Sequence, residues 1–222
     1  MYAPMDVSVT RTRLARADRM EQTLVAAHAL FAEHGYAAVK MDEIAASVGV
    51  TKPLLYNYFG NKEQLYITCM ERAGDSLTTT VAEAVADSSS PGEALGAGVR
   101  AFFSFLDNDR AAWAVLFDET LPRGGEVADR VADYRGVIVE LVSGSMLAQL
   151  PQERRDAARI EIEALSAALL GAAEALARWW LRTEEIGAGE AAELLISTIE
   201  PGLRARSAPA TSRPPEKGTP TQ

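Results

Sequence analysis

Residues 41–65 read Met41-Asp42-Glu43-Ile44-Ala45-Ala46-Ser47-Val48-Gly49-Val50-Thr51-Lys52-Pro53-Leu54-Leu55-Tyr56-Asn57-Tyr58-Phe59-Gly60-Asn61-Lys62-Glu63-Gln64-Leu65. Two short runs of helical periodicity flank Gly49-Val50. In the first, Met41, Ile44, Ala45 and Val48 fall on one face, and Gly49 ends the run. In the second, Leu55 and Phe59 stand four apart, leaving Lys52, Leu54, Tyr56, Asn57 and Tyr58 on the other side. Thr51 is in place to cap this second run, its hydroxyl accepting an orphan N–H. Pro53 falls in the first turn, where a missing N–H is harmless. Gly60 stops the helix, and Asn61 with Gln64 three residues on opens another as a capping box.

Upstream, Leu24, Ala27, His28 and Phe31 follow the i, i+3, i+4, i+7 rule, which predicts a helix from about Asp18 to Gly35. Three short helices with a tight turn between the last two make a helix-turn-helix, here residues 18–66. A helix of this kind fits the major groove, and its N-terminal side chains reach base edges. Lysine reads guanine or neutralises phosphate, asparagine pairs with adenine, and tyrosine hydroxyls suit phosphate oxygens. Lys62 adds a cation where a helix dipole also favours an anion. Residues 1–17 show no periodicity and read as a disordered basic arm carrying Arg11, Arg13 and Arg16.

The run Phe31-Ala32-Glu33-His34-Gly35-Tyr36, followed by Met41-Asp42-Glu43-Ile44-Ala45 and by Val48 through Leu65, resembles the DNA-binding domain of TetR-family regulators. The resemblance covers roughly residues 18–66, with glycine, tyrosine, phenylalanine and lysine at fitting offsets. It implies that Lys52, Pro53, Leu54 and Asn57 face bases. It implies that Thr51, Tyr56, Tyr58 and Lys62 contact phosphate, and that Phe31, Ile44, Ala45, Leu55 and Phe59 form the small core. One departure stands out. Family members often cap the helix beginning near Met41 with Thr or Ser, where this chain has Val39-Lys40, so Lys40 is expected to replace the cap with a charge contact.

Beyond residue 66 the pattern stays helical. Breaks at Ser88-Ser89-Ser90-Pro91-Gly92, Leu121-Pro122-Arg123-Gly124-Gly125, Pro151 and Gly187-Ala188-Gly189 separate helices over 91–107, 109–120, 125–149, 153–184 and 188–204. The expected fold is all-α, about nine helices, with the DNA-binding domain followed by a ligand-binding and dimerisation domain over 67–204. Residues 205–222, rich in Pro, Ser, Thr and charge, read as a disordered tail. The helix around Ala164–Leu176 is apolar nearly all round, so it needs two neighbours. A second subunit is one, by analogy with the family's paired last two helices. Leu165, Leu169, Ala172, Leu176, Leu195 and Ile199 are the expected dimer contacts. The resemblance also implies an effector pocket, expected at Trp113 and Phe117, with Trp179 as a further lining residue, for a small apolar or amphipathic molecule.

The chain carries −9 net, yet residues 1–65 hold seven Lys/Arg against seven Asp/Glu, so the whole excess lies beyond them. Binding double-stranded DNA needs a local basic face, not a basic protein. One cysteine, Cys69, excludes an internal disulfide framework, and no Cys/His spacing points to metal. The N-terminus lacks an apolar signal core and no stretch reads as a membrane span, so a cytoplasmic protein is expected. No catalytic pair, phosphate loop or cofactor fingerprint is present, and the reading is a non-enzyme without cofactor. The expected function is a dimeric repressor on a palindromic operator, released by its effector. The alternatives are an activator of the same fold and a helical ligand-binding protein without DNA binding.

Overall fold

The computed structural model describes residues 7–118, 120–121, 124–183 and 185–207, with the side chains of 7–15, 91 and 203–207 outside the description. Among the described residues there are nine helices and no strand. They are α1 (Val7–Ala38), α2 (Met41–Ser47), α3 (Lys52–Phe59), α4 (Lys62–Ala86), α5 (Pro91–Asn108), α6 (Arg110–Leu116), α7 (Glu126–Ala148), α8 (Gln152–Thr183) and α9 (Ala188–Ser207). Helix α1 packs on α4 and α6, α2 packs on α1 and α3, and α3 packs on α4. Helix α5 is central to the rest, packed on α4, α7 and α9, while α7 also packs on α8.

Helix α1 begins at Val7, ahead of the start near Asp18 that periodicity predicts. Residues 7–17 contain neither Gly nor Pro. Extending an established helix needs no new nucleus, so it continues without an apolar stripe to guide it. The side chains of Arg11 and Arg13, residues 1–6 and the tail from 208 onward lie outside the described residues. Gly35, at φ 76° and ψ 162°, interrupts α1, a conformation essentially restricted to glycine.

The caps differ from expectation in two places. Thr51 occupies the N-cap of α3, but its carbonyl rather than its hydroxyl does the work, accepting the N–H groups of Leu54 and Leu55 at 3.0 and 3.1 Å. The reason is Pro53: it removes one N–H a capping hydroxyl would take, and the Thr51 carbonyl takes the other. Asn61 does cap α4, accepting from Gln64 N–H at 2.8 Å, but the Gln64 side chain reaches Glu126 at 2.8 Å instead of turning back. At α2, Glu43 accepts the backbone N–H of Lys40 at 2.9 Å, which compensates for the missing Thr or Ser. Helix α6 stops at Leu116, short of the expected 120, because Asp118 and Thr120 turn away to bond the end of α1.

A single hydrophobic core runs from Phe31, Ile44 and Leu55 through Leu65 and Tyr66 to Phe103 and Leu106. The three aromatics Phe31, Tyr36 and Tyr66 meet with centroid distances of 4.9 Å from Tyr66 to each of the others. Within the C-terminal helices, Arg135 of α7 grips the nearly buried Glu174 of α8 through two bonds of 2.9 Å. A buried carboxylate is tolerated only with such a partner.

Candidate nucleic-acid interface

Helix α3 is short and divides cleanly. Leu55 and Phe59 are buried, while Lys52, Pro53, Tyr56 and Asn57 are exposed, and Thr51 is exposed ahead of them. Leu54 and Tyr58 are half-buried. Thr51 keeps its hydroxyl out of the helix cap, which leaves it available to an outside acceptor. The base-facing set expected from sequence is thus brought together on one exposed edge, with Leu54 at its margin. The ammonium group of Lys52 does not extend freely. It pairs with both carboxylate oxygens of Asp42 on α2, at 2.9 and 3.0 Å, and this contact holds its pKa above the ordinary lysine value.

The expected phosphate-contacting residues flank this edge. Tyr56 is 41% exposed. Tyr58 carries the Arg16 guanidinium over its ring, 5.3 Å from the centroid. Lys62 is half-buried, its Nζ 3.4 Å from the Ala37 carbonyl and 4.6 Å from the centre of the Tyr36 ring. Partial burial lowers its pKa, opposed by Glu43. Lys40 is exposed at the start of α2. Sequence reasoning missed Asp42 as the partner of Lys52, and it left Arg16 as part of a loose arm. Both belong to contacts between separate helices, which spacing within one helix does not encode.

The aromatic residues expected to line a pocket lie elsewhere. Trp113 and Phe117 stack on each other at 4.1 Å, and Trp179 is 38% exposed on the outside of α8. A cavity of about 40 Å³ instead lies where α4, α5, α7 and α8 converge. Val81, Val99, Phe102, Ile138, Leu169 and Ala173 line it. Its polar side chain, Ser166, already donates to its own Ile162 carbonyl at 2.9 Å. Trp113 stands one layer behind, edge-on to Phe102 at 6.4 Å.

The expected dimer contacts also divide. Leu169 and Leu195 are buried within their own chain, and Leu165, Ala172, Leu176 and Ile199 are half-buried. The exposed apolar side of α8 is instead Ala164, Ala168, Gly171 and Ala175, continued by Trp179, and on α9 Leu194 is 52% exposed. Apolar periodicity marks a residue for burial but does not say against which chain.

Two family models match the chain: that of bacterial regulatory proteins of the tetR family over residues 24–69, and that of the tetracyclin repressor-like C-terminal domain over residues 91–200. A TetR-like transcriptional regulator from Rhodococcus sp. RHA1 superposes with a TM-score of 0.68 at 31% identity, over 84% of this chain and 96% of that one. The chain belongs to the TetR family. Among TetR-family relatives, the HTH-type transcriptional activator FasR of Mycolicibacterium smegmatis is 37% identical over 119 residues. The alignment spans 54% of this chain and about half, 54%, of FasR. The regulator FadR of Bacillus subtilis, solved in complex with stearoyl-CoA, shares the fold with a TM-score of 0.65 at 18% identity, over 81% of this chain and 96% of that one. Among the described residues no helix is long and apolar enough to cross a membrane.

Proposed function

We propose that this TetR-family chain is a homodimeric transcriptional repressor that binds a palindromic operator in the cytoplasm and is released by an effector with an alkyl or acyl chain. The observation that carries the DNA reading is the exposed edge of α3, where Lys52, Pro53 and Asn57 lie outward over a buried Leu55 and Phe59. Lys52, Pro53, Leu54 and Asn57 face bases, while Thr51, Tyr56, Tyr58, Lys62 and Lys40 hold phosphate. A short helix contacts few base pairs, so two-fold symmetry is needed to specify a site, with half-sites about 34–36 Å apart. Selection of bound fragments from random DNA tests this: a palindrome is expected, and no enrichment at low ionic strength overturns it.

The cavity supports the effector class. Its walls are apolar and Ser166 is satisfied internally, so the buried part of a ligand needs no polar group. At about 40 Å³ it has room for only a few water-sized groups, against the ~300 Å³ or more of a small-molecule pocket, so a ligand must part the helices that enclose it. One of those helices is α4, whose N-terminal turn carries Lys62. Only a ligand with different affinity for the parted and closed forms shifts DNA binding. That a protein of the same fold was solved with stearoyl-CoA favours an acyl chain. Stearoyl-CoA is therefore the first probe: it is expected to release the selected DNA from wild type but not from Val99→Trp, which fills the cavity. Release that is equal in both places the ligand elsewhere.

A second reading, activation, is favoured by the name of FasR. Transcription in vitro from a promoter bearing the selected palindrome separates the two, since a repressor lowers the transcript and an activator raises it.

A further inference from the structure

Gly35 breaks α1, and the two N–H groups that follow it each donate to a side chain outside the helix. Their partners come from far along the chain. The Tyr36 N–H donates to Asp118 Oδ2 at 2.5 Å, across 82 residues, and the Ala37 N–H donates to Thr120 Oγ1 at 3.3 Å. Asp118 Oδ1 accepts the N–H of Thr120 at 2.7 Å, so one carboxylate shapes its own loop and caps the foreign turn. A Cβ on Gly35 would stand 3.0 Å from Thr120 Oγ1, so the loop also depends on bare backbone there.

This contact lies between the two proposed functional regions. On one side, the capped turn leads directly into α2, and through the Gly49 turn into α3. Lys62 reaches the carbonyl of the same Ala37. On the other side, the loop leaves α6, whose Val115 carbonyl accepts the buried Tyr66 hydroxyl at 2.6 Å. The Trp113 of α6 meets Phe102, and Phe102 lines the cavity. A packed path therefore runs from the cavity wall through α6 to the turn that carries the helix-turn-helix.

We propose that Asp118 and Thr120 are positioning residues for operator binding, a latch by which the C-terminal domain fixes the angle of α2 and α3. The proposal rests on the DNA-binding reading above. Neither side chain belongs to the exposed edge of α3. The latch sets where each recognition helix stands, and in a dimer that sets the separation between the two. Its loss therefore relaxes the choice of half-site spacing, which a general loss of fold would not do.

The test uses the full-length protein as wild type, Asp118→Ala, Asp118→Asn and Thr120→Val. Each is titrated against the selected palindrome and against the same half-sites moved one base pair apart or together. Amide exchange at Tyr36 and Ala37 and the thermal midpoint are read in parallel. Asp118→Ala is expected to lose about tenfold in affinity for the native spacing, the scale of one charge-assisted hydrogen bond, and to bind all three spacings nearly alike. Tyr36 exchange should accelerate in this variant. Asp118→Asn keeps one acceptor oxygen but turns an NH2 toward the other N–H donor, so its spacing preference should fall between wild type and Asp118→Ala, and Thr120→Val should accelerate Ala37 alone and lose part of the preference. If Asp118→Ala fails to fold, the Asn and Val variants carry the same comparison. Wild-type spacing preference in the variants overturns the latch, as does an equal loss on all duplexes. A wild-type protein that ignores every duplex overturns the DNA-binding reading itself, and the latch with it.

Discussion

In the proposed DNA complex, Lys52 reaches a base only by leaving Asp42. The pair is exposed and lies across two helices of the same small unit, so it orients the lysine without contributing appreciably to folding. Near a polyanion the same Asp42 is a like charge. Asp42→Ala is therefore expected to leave the thermal midpoint unchanged while tightening binding to any duplex by roughly two- to fivefold at low salt. Titration by fluorescence anisotropy on operator and random DNA reads this, and weaker binding would mean that orientation outweighs repulsion. Two other residues are set by burial rather than pairing. Cys69 is buried, which pushes its thiol from 9.0 to about 12, and burial raises the Tyr66 phenol as well. Both folded-state values lie above the unfolded ones. Stability is then complete below about pH 9 and falls as the pH rises toward 12. Chemical denaturation across this window should show the decline, and Cys69→Ala should flatten it. A midpoint that stays level for wild type through the alkaline range would contradict the burial of these groups.

At the scale of elements, α4 joins the two regions, and its fit to α7 turns on one missing side chain. A Cβ on Gly74 would come within 2.6 Å of the Tyr134 ring, whose hydroxyl lies 2.9 Å from Asp75 Oδ1 and 3.1 Å from the Glu71 carbonyl. In an open helix, Gly→Ala gains up to ~1 kcal/mol from backbone entropy. Here the ring is anchored and cannot yield, and overpacking costs about 1–3 kcal/mol, so the clash wins. Gly74→Ala should lower stability, whereas Gly144→Ala on α7, with nothing near its Cβ, should raise it. Urea denaturation of both variants decides, and two gains would show that α4 and α7 do not touch there. The starts of α2 through α9 and the two faces of α3 were legible because caps, glycines and apolar spacing act within a few residues, whereas the start of α1, which has no such signal, was not. The Gly74–Tyr134 contact and the Asp118–Tyr36 bond were not, since each joins segments about sixty or more residues apart. Phe117 shows the limit well. Its spacing from Trp113 suited a helical face, but α6 ends one residue before it and the two rings stack on each other.

At the scale of the whole molecule, charge and apolar surface are distributed to different ends. The neutral first 65 residues spare the DNA-facing region the repulsion that the net −9 of the rest would bring. The opposite region, α8 and α9, holds apolar surface that the single chain does not cover. Ala164, Ala168, Gly171 and Ala175 recur at spacings of four, three and four, all exposed, so they form one stripe of small side chains that admits close approach of another helix. Trp179 extends the stripe, and Leu194 adds exposed area on α9. In the proposed homodimer the second copy lies against this stripe, since small side chains let the two α8 helices approach closely and the uncovered Trp179 and Leu194 are buried with them. Ala168→Glu tests it well. The position is exposed in the monomer, so helix content by circular dichroism should not change, but a dimer would bury two like charges near its axis. Wild type is expected to sediment as a dimer at micromolar concentration and the variant as a monomer, with operator affinity falling steeply while affinity for a single half-site persists. If Ala168→Glu remains a dimer that binds the palindrome, the two chains meet elsewhere, and the spacing between half-sites is then set by a different surface.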